Sequence, residues 1–149
     1  MTDKEYMGIA IEISKNSKYP YGAIIVKDNQ IIGRSDNDNL VNKTLFNHGE
    51  MVAIEDACHG IPNLYGQLKD STIYVSCEPC MMCMGAILYE EIERWVYACK
   101  IEDSDQYVIK EVIAKAKDLA KVSNRKIEIV EEYDRDNAIA IMKDYYEKN

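Results

Sequence analysis

The chain has 149 residues, of which 47% are hydrophobic and 30% charged: enough for one domain with a substantial core, and not the composition of a disordered or fibrous protein. A net charge of −8 and a pI near 4.8 work against a polyanionic partner, because non-specific nucleic-acid affinity comes mainly from Lys and Arg neutralising phosphates; a small uncharged substrate is favoured and nucleic acid is not. No apolar run is long enough to cross a bilayer, and residues 1–20 mix charges into a helical pattern rather than forming a signal peptide, so the expectation is a single domain over 1–149, cytoplasmic and free of membranes.

Residues 3–16 carry Tyr6, Ile9, Ala10 and Ile13 on one face, which predicts an amphipathic first helix. Residues 23–27 and 30–34 are β-rich runs separated by Asp28-Asn29, a hairpin signal. A polar, Asn-rich loop follows over 35–45. A helix is predicted from His48 to about Cys58, with Met51, Ile54 and Cys58 at core spacing and with Gly60 and Pro62 ending it. Residues 71–76 read as a strand, and Pro79, which suits a first helical turn, opens a second core helix to about Glu90. Residues 94–98 make a fourth strand, 105–122 a helix, 126–130 a fifth strand and 134–147 a closing helix. Strands separated by helices pair in parallel through right-handed crossovers. The expected architecture is a three-layer α/β/α sandwich with a five-stranded mixed sheet, its fourth and fifth strands parallel and its first hairpin antiparallel.

Five cysteines make an odd count that argues against a disulfide framework and for reduced thiols, some of them metal ligands. Two short motifs suggest which. His48-Gly49-Glu50 begins the first core helix, and Pro79-Cys80-Met81-Met82-Cys83 begins the second. His48, Cys80 and Cys83 supply three tetrahedral zinc donors and leave a fourth position for water, the donor count of a catalytic rather than a structural zinc. The Cys-x-x-Cys spacing puts both sulfurs on one helical turn, where the positive end of the helix dipole favours thiolate. Glu50 stands two residues from His48, close enough to move protons without being a ligand. Cys77 reads as a buried residue at a strand end, Cys58 and Cys99 as core, and His59 as a surface residue at a helix end. Met81, Met82 and Met84 divide between packing and pocket lining.

His-x-Glu followed by Pro-Cys-x-x-Cys resembles the cytidine deaminase-like superfamily of zinc deaminases, and the resemblance covers nearly the whole chain. Within it, Tyr19-Pro20-Tyr21-Gly22-Ala23, Ser76-Cys77-Glu78-Pro79-Cys80 and Asp105 ahead of Val108 look most like bacterial guanine deaminases. The resemblance implies zinc as cofactor, Glu50 as catalytic residue, and a base held by Asn37 (eleven residues before His48), a backbone N–H at Gly49, and an aromatic wall at Tyr21. It further implies an acidic contact at Asp105, which reads equally as a helix cap, and a C-terminal aromatic at Tyr146 or Tyr145 closing the pocket. Two features depart from guanine deaminases: His-Gly-Glu stands where they carry His-Ala-Glu and is similar to the small cytosine deaminases, and the stretch from Cys83 to Asp105 is short. The implied activity is hydrolytic deamination of guanine. Cytosine or isocytosine, then a tRNA adenosine, are the alternatives within the same chemistry, and a non-catalytic zinc-binding protein is the alternative outside it. A homodimer, with residues 134–149 completing a neighbour's pocket, is the expected assembly.

Overall fold

Thr2 and Glu5 start the fold. The Glu5 carboxylate accepts the Thr2 N–H at 2.6 Å and the Thr2 hydroxyl accepts the Glu5 N–H at 3.4 Å, which satisfies donors that a helix N-terminus leaves unpaired and opens α1 (Asp3–Asn16). The computed structural model describes residues 1–41, 43, 46–59, 61, 65–108 and 114–149. After α1 come β1 (Ala23–Lys27) and β2 (Gln30–Arg34), joined at Asp28 and Asn29, whose φ angles of 50° and 59° are those a two-residue hairpin turn requires. Then follow α2 (Gly49–Ala57), β3 (Thr72–Cys77), α3 (Met81–Tyr89), β4 (Arg94–Cys99), a 3₁₀ turn (Ile101–Ser104), α4 (Ala116–Val122), β5 (Glu128–Val130) and α5 (Arg135–Lys148).

The strand order is β2-β1-β3-β4-β5. Strand β1 runs antiparallel to both of its neighbours, and β3, β4 and β5 are mutually parallel. Helices α1 and α5 pack together on one face; α2, α3 and α4 cover the other. Strand β4 shows the consequence. Trp95 and Tyr97 stack at 4.9 Å in the core beneath α3 and α4, while Val96 and Ala98 point into the core beneath α1 and α5. Residues 95–99 are therefore all buried, as expected of a strand covered on both faces. No helix among the described residues is long and apolar enough to cross a membrane.

The three-layer arrangement and the parallel fourth and fifth strands follow the sequence reading, with one local departure. Of the described residues in the helix expected over 105–122, those of Ala116–Val122 are helical and 105–108 and 114–115 are not. Before it the chain makes the 3₁₀ turn, because Asp103 accepts the Lys100 N–H at 2.8 Å and Ser104 is buried. Residues 109–113 of that expected helix, and the helix end predicted at Gly60 and Pro62, lie outside the described residues.

Helix α1 is stapled to the sheet by one ionic cluster. Arg94 donates to both Asp3 oxygens, at 2.9 and 2.7 Å, and the Tyr74 hydroxyl donates to Asp3 at 2.6 Å. The Arg94 hydrogen bond holds the Asp3 carboxyl below its ordinary value of 3.8, with burial opposing. A depressed carboxyl stabilises the fold above its unfolded pKa, and that contribution is lost as pH falls through the folded value. Asp3→Asn is therefore expected to lower stability by on the order of 1 kcal/mol at neutral pH. The gap to wild type should close on acidification below about pH 4, read from thermal melts across that range. A gap independent of pH would dissociate the carboxylate charge from the effect.

Candidate active site

Strand β1 is antiparallel to β3, so the start of β1 lies beside the C-terminal end of β3, with Ala23 opposite Val75. Helices α2 and α3 begin at this end of the sheet. In open α/β sheets the crevice beyond the carboxyl ends of strands, where the strand order reverses, is the usual ligand site. The crevice here holds a cavity of about 860 Å³, in the range that takes a small-molecule ligand.

Its floor is built from two helix N-termini. His48 is the N-cap residue of α2 and Cys80 that of α3, both with extended backbone, and Cys83 lies in the first turn of α3. The His48 Nδ1 is 3.7 Å from Cys80 Sγ and 3.6 Å from Cys83 Sγ, and the two sulfurs are 3.6 Å apart. Tetrahedral zinc with ordinary Zn–S and Zn–N bonds requires edges of about 3.8 Å between sulfurs and about 3.6 Å between sulfur and nitrogen. The donor set fits zinc in chemistry and spacing. It is the one group of three such donors among the described residues whose ligand atoms all lie within 4.8 Å of one another. The contacts with Cys83 and His48, aided by the Cys83 backbone N–H, bring the Cys80 thiol down to about 4. The same sulfur pairing, together with burial, pushes the Cys83 thiol up. His48 is raised by its contact with Cys80, with burial opposing.

Glu50, in the first turn of α2, is 8% exposed. Burial raises its carboxyl above the usual carboxylate range, with the neighbouring His48 and Cys83 opposing. A buried carboxyl thus stands beside the donor cluster at the cavity floor. Removing one donor tests the cluster: Cys83→Ala is expected to weaken zinc binding by more than about 100-fold, beyond the 10–100-fold typical of outer hydrogen-bond partners. Competition with a chromophoric chelator measures it.

The other expected residues divide. Tyr21, Gly49 and Tyr146 line the cavity with His48, Glu50 and Cys80. Tyr146 arrives on α5 of the same chain. The beginning of that helix is tied to the 3₁₀ turn by Arg135 on both oxygens of Asp103, at 2.9 and 2.7 Å. Asn37 and Asp105 are not brought into the lining. The Asn37 amide donates to Asp56 on α2 and its carbonyl accepts the Asn39 N–H at 3.0 Å, so the side chain ties its loop to α2. Asp105 closes the 3₁₀ turn as its C-cap and is exposed. Of the thiols left over, Cys77 ends β3 in the cavity wall, Cys99 is fully buried, and Cys58 is half-buried. Met82 faces the cavity, whereas Met84 is in the core.

Three further residues contribute through contacts with distant parts of the chain. Ser35 and Ser76 line the cavity while their hydroxyls accept the Ala23 and Gly22 N–H groups at 2.8 and 2.9 Å, which pins the start of β1. Tyr107 stacks on Tyr146 at 4.8 Å with planes 9° apart and fixes its ring. None of these three contacts has a spacing to betray it.

The signature of the cytidine and deoxycytidylate deaminase zinc-binding region matches residues 1–99. A tRNA-specific adenosine deaminase of Buchnera aphidicola subsp. Baizongia pistaciae is 34% identical over 111 residues, which cover 72% of this chain and 67% of that protein. A guanine deaminase of Bacillus subtilis is 37% identical over 99 residues, 62% of each chain. Among solved structures, guanine deaminase from Nitrosomonas europaea superposes with a TM-score of 0.77 over 98% of this chain and 85% of the other, at 19% identity. A structure from a study of tRNA:A34 deaminases superposes with a TM-score of 0.73 over 92% and 98%, at 22% identity. At those identities the structural likeness is one of fold.

Proposed function

This chain belongs to the cytidine and deoxycytidylate deaminase zinc-binding family, and from that membership and its site we propose that it removes the exocyclic amine of a small amino-heterocycle, guanine foremost. In that reaction guanine and water give xanthine and ammonia. The observation that carries the reading is the buried Glu50 carboxyl set against three mutually spaced zinc donors at the floor of one cavity. His48, Cys80 and Cys83 would hold the zinc, which when bound supplies a Lewis acid that makes water nucleophilic near neutral pH.

Glu50 takes a proton from the attacking water, delivers it to the ring nitrogen next to the amine-bearing carbon, and returns a proton to the departing nitrogen. Its burial keeps bulk water from competing for that proton. Tyr21 and Tyr146, which line the cavity, would wall the base, and the backbone N–H of Gly49 would serve it as a donor. The N-terminal ends of α2 and α3 favour the negative charge that develops on oxygen as the ring carbon becomes tetrahedral.

Guanine is preferred to a tRNA adenosine because the net charge of −8 opposes a phosphate backbone, although relatives of both names are about equally similar. Self-association belongs to the same reading. Helix α3 carries no charged residue, and Met81, Met82, Gly85 and Tyr89 remain outside the core. A helix apolar on all sides is ordinarily covered, and a second copy would cover it.

Ammonia release from zinc-loaded protein tests the function. The panel is guanine, guanosine, cytosine, isocytosine, adenine and a tRNA anticodon stem-loop, with Glu50→Ala as the blank. Glu50-dependent turnover of guanine is the expected result. Turnover of the stem-loop alone transfers the chain to the tRNA-editing class, and turnover of cytosine or isocytosine alone to the pyrimidine class. Zinc-loaded protein inert toward every compound counts against catalysis.

A further inference from the structure

Three thiols stand outside the zinc-donor cluster, and the sheet sets two of them side by side. Cys77 and Cys99 are register partners on the parallel strands β3 and β4. Both belong to the buried cluster beneath α1 and α5. Each thiol reaches across the gap between the strands. Cys99 Sγ donates to the Ser76 carbonyl, next to Cys77, at 3.0 Å, and Cys77 Sγ donates to the Lys100 carbonyl, next to Cys99, at 3.8 Å. Neighbouring strands lie about 4.8 Å apart. That span is inside the Cα separation of about 4.4–6.8 Å that a disulfide accepts, and below the value of about 5.5 Å or more that it prefers. The two residues differ in access. Cys77 lines the cavity, whereas Cys99 is 1% exposed. A water-sized reagent that enters the cavity therefore meets Cys77 first and finds Cys99 behind it.

We propose that Cys77 and Cys99 form an oxidant-sensitive modification site, a dithiol that hydrogen peroxide converts into a disulfide between β3 and β4. In the first step the Cys77 sulfur attacks the peroxide, the O–O bond breaks, and a sulfenic acid and one water result. In the second the Cys99 sulfur attacks that of Cys77, the S–O bond breaks as the S–S bond forms, and the hydroxyl leaves with the Cys99 proton as a second water. Two thiols are thereby oxidised by two electrons, and one peroxide is reduced to two waters. The short span strains the bond, and a strained disulfide is readily reduced by a small thiol, so the modification is reversible. It ties to β4 the strand end that leads through Glu78 and Pro79 into Cys80, and it takes one thiol out of the cavity wall. The inference goes beyond the deaminase reading and does not depend on which base is turned over.

The test treats the zinc-loaded full chain with hydrogen peroxide, unfolds it in a chelator and an alkylating reagent, and digests it with trypsin in the absence of reductant. Cleavage after Arg94 and Lys100 isolates Cys99 in residues 95–100, while Cys77, Cys80 and Cys83 share residues 70–94. The expected product is the two peptides joined, lighter than their sum by two hydrogens, with fragmentation placing the bond on Cys77 and with Cys80 and Cys83 alkylated. Dithiothreitol should abolish the link when it is added before unfolding. Cys99→Ala should give no link and leave a sulfenic acid on Cys77, captured by dimedone; Cys77→Ala should give no link and leave Cys99 reduced. The chain unfolded before the peroxide is added should scatter its links over several cysteine pairs. Wild type with residues 95–100 unlinked, or linked through Cys80 or Cys83, overturns the proposal. So does a native chain whose links scatter as widely as those of the unfolded one.

Discussion

Glu50→Gln is expected to keep its zinc and lose turnover by about 10²–10⁴-fold, the usual worth of a positioned general acid–base. The substitution preserves the shape of a side chain that is 8% exposed. What it removes is the capacity to take and return a proton. Because Glu50 is not one of the three mutually spaced donors, zinc measured by elemental analysis should stay at one per chain, about as in wild type. Equal loss of metal and activity would make Glu50 a ligand. Full activity in the glutamine variant would remove it from the proton path and sink the assignment.

The second large effect is expected far from any reacting atom. Gly33 on β2 lies so close to α2 that a methyl group there would stand 2.2 Å from the Ala53 carbonyl oxygen and 2.7 Å from the Ala57 Cβ. Both obstacles belong to the helix that carries Glu50 and is capped by His48, and neither is a flexible side-chain end. Gly33→Ala should therefore push α2 off the sheet, at the upper end of the usual overpacking cost, about 3 kcal/mol. For a chain of this size that is a fall in melting temperature of roughly 10 °C. Zinc affinity should fall with it, since His48 moves relative to Cys80 and Cys83 while the two cysteines stay on α3. Thermal melts of the zinc-free protein separate the packing loss from the metal's own contribution. An unchanged melt would show that α2 can shift at little cost.

The zinc-donor cluster and the buried carboxyl beside it are legible in the amino-acid sequence, because their geometry is local. Cys80 and Cys83 are three positions apart on one helical turn, and His48 and Glu50 flank the first residue of another helix. The hairpin is legible for the same reason, since Asp28 and Asn29 are residues that tolerate the left-handed turn. Residues 105–122 mislead because apolar periodicity shows which positions can face a core but not which local hydrogen bonds compete with a helix. Here the Lys100–Asp103 cap and the Asp103–Arg135 pair hold a 3₁₀ turn at Ile101–Ser104, directly before that stretch, and 105–108 continue as turn and bend. Asn37 stands at its expected distance in sequence from His48, yet its amide is engaged by Asp56, and the spacing carries no information about that neighbour.

Donor types at spacings that a helix converts directly into distance place the zinc ligands and the neighbouring carboxyl in the amino-acid sequence. What that cluster faces was set by long-range packing. The order β2-β1-β3-β4-β5 brings the start of β1 to the end of β3, and the packing of α5 brings Tyr146 to Tyr21. Such contacts depend on loops closed over long stretches and on side-chain packing summed over the whole core. Neither leaves a mark at fixed spacing along the chain.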